Sequence, residues 1–401
     1  MKTTIGTHCT VTSSKRFHLS ERAESGVPFF CSKQIIQLEN GEMPSDYDHI
    51  TNEHFRDIQI KYGVPSSGDL LITTRGTYGI PYIYKERDCF YFADGNLTWL
   101  KDFDDCLSSH YLYYWFKSYE GQKKIDAIAK GTAQKAVPIA LIKDLQLTLP
   151  PISQQKRIAS ILSAYDDLIE NNRRQIKLLE EAAQRLYSEW FVELRFPGHE
   201  SVKVVDGVPE GWTVTTASEV TNVLRRGISP NYDETARLSV ISQKCIRQYM
   251  VDMNQVRRQS KSFDSSMGLL DSDTVICSTG TGTLGRVGTV FGNHSNCTFD
   301  SHVTLVRTNG TVGKHYLNLR MYELQEYFDS CKTGSTNQTE LSRSIVQNVK
   351  VYIADSHTQQ IFEKIEEAYH QKMMICQHQI QLLTETRDRL LPKLMNGEME
   401  V

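Results

Sequence analysis

The chain has 401 residues, with 48 acidic and 45 basic side chains, a net charge of −3 and 39% hydrophobic residues. That length suits two domains plus connecting elements, and near-neutrality excludes a uniformly basic nucleic-acid coat while leaving room for local basic faces. The N-terminal MKTTIGTHCT lacks an apolar core, no stretch approaches a membrane span, and the nine cysteines are scattered without a C-x-x-C pair, so a cytoplasmic protein with reduced, mostly buried thiols is expected rather than a secreted, membrane or zinc-stapled one.

In chain order, GDLLITTRGTYG (68–79) reads as an acidic turn, an apolar strand and a Gly/Thr-rich turn, and DGNLTWLK (94–101) as a half-buried strand. HYLYYWF from His110 starts a short helix, KGTAQKAV (130–137) is a polar loop, and DLQLTLPPI is a last strand. Pro150 and Pro151 suit a helix entrance, with Ser153 as the expected N-cap. From about Ser153 to Phe191, apolar residues recur at alternating spacings of 4 and 3, the mark of a heptad seam: Ile158, Leu162, Tyr165, Ile169, Asn172, Ile176, Leu179, Ala183, Leu186 and Trp190. FPGHESVKVVDGVPEGW (196–212) is rich in Pro and Gly and reads as a linker.

The second half repeats the first. SDTVICSTGTGTLG (272–285) matches the first Gly/Thr turn, DSHVTLVR (300–307) the half-buried strand, HYLNLRM from His315 the short helix, TGSTNQTEL (333–341) the polar loop, and NVKVYIADS the last strand. From Ser356, the expected second cap, to Met395 the seam returns 204 residues later at Phe362, Glu366, Tyr369, Met373, Cys376, Ile380, Leu383, Arg387, Leu390 and Leu394, with only Glu366 and Arg387 breaking it. The chain is therefore an internal duplication, and each half is an α+β region with a twisted, mostly antiparallel sheet followed by a long helix. A helix of that length spans about 58 Å and needs a partner for its apolar stripe. The other copy, lying antiparallel, is the expected partner, which would put Asn172 in the middle layer near Cys376.

No catalytic motif is present: no phosphate-binding G-x-x-x-x-G-K-[ST], no H-E-x-x-H, no metal-ligand spacing. STGTGTLG has no following Lys and reads as a tight turn between strands, and LPPIS at Leu149 lacks the Asn and aromatic residue of the amino-methyltransferase N-P-P-[YF] motif. Local charge is more informative. Arg225, Arg226, Arg237, Lys244, Arg247, Arg257, Arg258 and Lys261 are opposed only by Asp233, Glu234 and Asp252, while Lys123, Lys124, Lys130, Lys135 and Lys143 face Asp126. The segment Ser13–Arg16 occupies a place like that of Arg225–Gly227. Cations beside Ser, Thr, Asn, Gln and Tyr suit phosphates and base edges. A solvated charged face is the simpler reading of any one cluster, but such clusters recur in both halves. The residues selected for DNA contact are Arg16, Arg75, Tyr78, Lys130, Gln134 and Lys135 in the first half, and Arg225, Arg226, Lys244, Arg286, Asn337 and Gln338 in the second.

The segment LPPISQQKRIASILSAYDDLIENNRRQIKLLEEAAQRLYSEWF (149–191), followed by RFPGHE and GVPEGW, resembles the specificity subunit of type I restriction-modification systems, with shorter matches at VTSSKRF (11–17), KGTAQKAV and RDRLLPKLMNGE (387–398). The resemblance implies target-recognition domains at 1–150 and within 196–355, and spacer helices at 151–195 and 356–401 that form an antiparallel coiled coil. It implies a non-catalytic reader of a bipartite, asymmetric DNA site that docks two methyltransferase subunits and, beyond them, restriction subunits. S-adenosylmethionine, ATP and magnesium would then belong to those partners, with no cofactor or metal in this chain. It further implies a circularly permuted repeat, in which the tail after Leu394 completes the structure near the N-terminus. The competing readings are a methyltransferase or nuclease with degenerate motifs, and a coiled-coil adaptor without a DNA role.

Overall fold

A computed structural model describes residues 2–131, 135–331 and 340–400. The chain divides into two compact units, one formed by residues 1–173 with 379–401, the other by residues 174–378. Among the described residues no helix is long and apolar enough to cross a membrane.

In the first unit the strands are β1 (Lys2–Thr4), β2 (Thr10–Thr12), β3 (Val27–Phe30), β4 (Asp48–Ile50), β5 (Leu70–Thr73), β6 (Pro81–Ile83), β7 (Tyr91–Phe92), β8 (Leu97–Lys101) and β9 (Gln146–Thr148). They form a four-stranded sheet in the order β2-β8-β5-β6, a three-stranded sheet β4-β3-β7 and the pair β1-β9. Only β3 and β7 run parallel. The centre of the larger sheet is covered on both faces, which explains the unbroken apolar runs LLIT and LTWL. Alternate residues point to opposite sides: Leu70, Ile72 and Leu100 join Leu112, Phe116 and Ile125 of the helices Ser109–Lys117 and Tyr119–Ile128. Leu71, Leu97 and Trp99 join Phe30, Tyr82 and Phe92.

The second unit opens with a hairpin inside the segment read as a linker: β10 (Val204–Val205) and β11 (Val208–Pro209) flank Asp206 and Gly207, both at positive φ. Asp-Gly is the turn that a two-residue hairpin demands. The remaining strands are β12 (Thr213–Thr216), β13 (Thr221–Arg226), β14 (Leu238–Ile241), β15 (Arg257–Gln259), β16 (Thr274–Cys277), β17 (Val287–Thr289), β18 (Cys297–Phe299), β19 (Val303–Thr308) and β20 (Lys350–Ile353). Their sheets run β13-β19-β16-β17, β15-β14-β18 and β12-β20, the same three sheets as in the first unit, with β14 and β18 again the parallel pair. The register repeats too: Leu71 faces Trp99 as Val275 faces Leu305. The duplication visible in the helices thus extends through these three sheets, while the β10-β11 hairpin belongs to the second unit alone.

The first long helix runs Ile152–Tyr187 and ends in one π turn, Ser188–Val192; the second runs Ser356–Met395. Within each unit the two helices pack antiparallel. In the first unit Arg387 is ion-paired with Asp166, which also accepts from the Tyr114 hydroxyl at 2.7 Å. In the second, Phe362 meets Phe191 at 4.8 Å between ring centroids and Trp190 at 5.7 Å. Every seam residue named above is buried or half-buried. Of the two residues that break the second seam, Arg387 is explained by its pairing with Asp166, whereas Glu366 is a buried carboxyl whose Oε1 has no partner among the described residues.

Two expectations need correction. Ser153 lies inside the first helix, which starts at Ile152 behind Pro151, and the Gln155 side chain ties its entrance to the Pro150 and Cys106 carbonyls and the Ser108 N–H. The second helix is capped by Asp355, whose Oδ1 accepts from the N–H groups of His357 and Thr358 at 3.0 and 3.1 Å, so Ser356 is already helical. Cys376 meets Gln175 at 3.9 Å, and the Asn172 amide donates to the Leu168 carbonyl of its own helix. At the end of the second helix Leu394 is buried in the same core cluster as Ile5, Ile158 and Leu162, and Met395 packs against it.

Candidate nucleic-acid interface

In each unit one edge of the four-stranded sheet gathers three polar segments: the end of its first strand, the turn between its last two strands, and the end of the polar loop. In the second unit these are Arg225–Arg226 on β13, the turn from Ser278 to Arg286 after β16, and the chain from Glu340 onward. Backbone pairing joins the last two, because Glu340 bridges Thr279 and the Leu341 N–H donates to the Ser278 carbonyl at 2.8 Å. Arg226 joins the first: its guanidinium is ion-paired with Glu340 and donates through Nη2 to the Leu341 carbonyl at 2.8 Å. Gly285 shows why the turn is glycine-rich. Its φ is +82°, and a Cβ there would lie 2.7 Å from the Asp329 backbone nitrogen.

Thr279 is fixed from two further sides. Its hydroxyl lies 2.6 Å from His302 Nδ1, and the Gln243 amide donates to it at 3.2 Å. That contact sets the exposed Lys244 beside the turn. Beneath it Asp300 is buried; burial raises its carboxyl above the ordinary range, partly offset by the hydrogen bond from the His302 N–H at 2.9 Å. Arg286 donates to the Gly282 carbonyl at 2.7 Å and closes the turn. Arg225, Arg226, Glu340, Ser342 and Arg343 line an open cavity of about 760 Å³.

The first unit repeats the plan with different side chains. The Val137 N–H donates to the Thr74 carbonyl at 2.8 Å, and Ala136 bridges both Arg75 and Lys130. Arg75, Lys130 and Lys135 are therefore brought together, and all three are exposed. Tyr78 is half-buried and packs on the core. Arg16 is exposed on the segment after β2, which Ser13 anchors to the Leu97 carbonyl at 3.1 Å. Gln134, Asn337 and Gln338 lie outside the described residues.

Register fixes how the halves correspond. Thr12 faces Trp99 and Arg225 faces Leu305, so Ser13 stands where the second unit has Arg226. Ala136 stands where it has Glu340, since these bridge Arg75 and Thr279, which are 204 residues apart. The interface is thus built twice on one topology with unlike chemistry. The rest of the basic run in the second half is largely structural: Arg257 lies 3.5 Å over the Tyr232 ring, Arg258 donates to the Ala236 carbonyl at 2.9 Å, and Lys261 to the Ser229 carbonyl at 3.2 Å. Glu340, Thr279, Gln243 and His302 were missed from sequence, because their roles depend on pairings between distant segments.

Among the described residues His8, Asp104 and Cys106 have ligand atoms within 4.8 Å of one another. Both ring nitrogens of His8 are engaged, Nδ1 with Asp104 at 2.8 Å and Nε2 with the Thr3 hydroxyl at 2.9 Å, which fits a packing role.

Residues 4–181 match the type I restriction modification DNA specificity domain. The chain is 25% identical over 392 residues to the MjaIX type I restriction enzyme specificity subunit of Methanocaldococcus jannaschii, a match covering 94% of this chain and 87% of that one. It is 23% identical over 330 residues to the HindI specificity subunit of Haemophilus influenzae, covering 64% and 70%. The fold is shared with the S subunit of a type I restriction-modification system from M. genitalium, at a TM-score of 0.60, 17% identity and coverage of 98% and 96%. The doubled sheet topology and the paired helices thus go together with a similarity to type I restriction enzyme specificity subunits that spans 94% of this chain.

Proposed function

We propose that each unit reads one half of a bipartite, asymmetric DNA site through the edge where its three polar segments meet. The observation that carries this reading is the repeated stitching of the polar loop to the Gly/Thr turn, Ala136 to Arg75 and Glu340 to Thr279, which presents different side chains from one backbone plan. Arg75, Lys130 and Lys135 offer three exposed cations at this edge of the first unit. The second adds Glu340 to Arg225, Arg226 and Arg343, so the two half-sites should differ in sequence. Arginine and lysine meet phosphates, while guanidinium and carboxylate groups also distinguish bases in the major groove.

In this reading the chain recognises and its partners catalyse. Two modification subunits dock on the long helices, restriction subunits join them, and S-adenosylmethionine, ATP and magnesium are bound by those partners in the cytoplasm. The helices support it: Leu178 and Leu382 are 55% and 49% exposed, lie outside the seam, and occupy equivalent positions 204 residues apart, one in each unit. Such a pair suits two copies of one partner. The test is selection from a pool of randomised duplexes by the chain assembled with its modification subunits. Two conserved blocks of unlike sequence, separated by positions without preference, are expected. A single continuous block, or no enrichment at all, would refute the reading.

A further inference from the structure

We infer that Glu340 is a specificity-determining residue of the second unit, selecting for an exocyclic base amino group at one position of its half-site. This rests on the function proposed above and assigns a role to the one acidic side chain that lines that unit's basic cavity among the described residues.

The cavity is lined by Arg225, Arg226 and Arg343, with Ser342 and Glu340. Arg225 and Arg343 are exposed, and no hydrogen bond or ion pair holds either among the described residues, so both are placed to meet phosphates. Glu340 differs. Its side chain is about half exposed, yet it is held on two sides, through its backbone bridge to Thr279 and its ion pair with Arg226. Arg226 is itself held, because its Nη2 donates to the Leu341 carbonyl at 2.8 Å. The carboxylate is thus fixed at the mouth of a cavity whose other charges are positive.

A phosphate approaching this point would be attracted by the arginines and repelled by Glu340. A carboxylate only accepts hydrogen bonds, so the groups that satisfy it in the major groove are the amino groups of cytosine N4 and adenine N6. Guanine O6 and N7 and thymine O4, all acceptors, would face it unfavourably. The arrangement discriminates by repulsion as well as attraction. In the first unit Ala136 occupies the matching place, so the device belongs to one half-site only.

The experiment is methylome mapping in cells carrying the intact system with Glu340→Ala or Glu340→Gln, alongside binding of the assembled complex to cognate and single-substituted duplexes. Both variants should lose discrimination at the same single base pair of one half-site, by roughly tenfold or more for the alanine. Binding to unrelated DNA should rise, and the other half-site should be untouched. If the alanine variant does not assemble, the glutamine variant, which keeps the volume and the bond to Arg226, carries the test. Unchanged discrimination with uniformly altered affinity, or changes in both half-sites, would overturn the assignment. Failure of the wild-type complex to select any sequence would instead overturn the reading on which it rests.

Discussion

Glu366 sits in a helix seam and is only 2% exposed. Burial, reinforced by the neighbouring Glu363 charge, pushes its carboxyl from its ordinary 4.5 up to about 8. Other titrating groups in this region are Glu180, which burial raises to about 7, and the buried phenols of Tyr249 and Tyr322. Because the folded value of Glu366 is raised, the folded chain keeps a proton that the unfolded chain releases above pH 4.5. Its contribution is fully favourable below that pH and is lost as pH rises toward 8, at up to about 1.4 kcal/mol per pH unit. Between pH 5 and 8 the loss is about 2–4 kcal/mol, taking the linkage slope as an upper bound. Glu366→Gln removes the titrating proton without changing the volume. Thermal melts from pH 5 to 8 should show the variant within about 2 °C of wild type at pH 5 and roughly 5–10 °C above it at pH 8, given about 2–4 °C per kcal/mol for a unit of this size. Glu180 titrates in both proteins, so its effect cancels in the difference. Melting curves that run parallel across this range would refute the reasoning.

Asp166→Ala should cost about 1–3 kcal/mol, since it leaves the Tyr114 hydroxyl and Arg387 Nη1 without their acceptor, although Arg387 keeps Asp388. Denaturant titration checks this, and the double variant Asp166→Leu with Arg387→Met should be the more stable of the two. Leu178→Asp and Leu382→Asp should leave the melting temperature of the isolated chain nearly unchanged, because both side chains face solvent, while weakening co-purification of the modification subunit. Lys130→Ala should weaken binding of the assembled complex to all sequences alike and reduce the salt slope by about one, as for a phosphate contact. Ile176→Asp places a charge in the buried seam and should prevent stable folding, read by circular dichroism.

Periodicity was legible because it is local. The 4-and-3 spacing from Ile158 to Trp190 and its return 204 residues later identify both helices and their shared seam, and an apolar run marks the strand around Leu71, whereas the strand around Leu305, which alternation reads as half-buried, is buried on both faces. Capping was misread where two candidates stood side by side: Asp355 took the role assigned to Ser356, since its carboxylate reaches two N–H groups. The hairpin at Asp206–Gly207 was absorbed into a linker because its strands are only two residues each. The interface was half legible. Basic clusters flagged Arg75, Lys130, Arg225 and Arg226, but composition cannot tell a cation facing solvent from one tied to its own backbone, as Arg258 and Lys261 are. Nor could it pair Arg226 with Glu340, which lies 114 residues away.

The central claim is that the two units read independently. Residues 213–353 run from β12 to β20, the paired strands that bracket the second unit's repeated sheets. Replacing them with the matching segment of a relative of different specificity, in cells carrying the intact system, tests the claim directly by mapping methylated adenines across the chromosome. One half-site should change to that of the donor while the other stays as it was. If both half-sites changed together, the account of two separate readers would be contradicted.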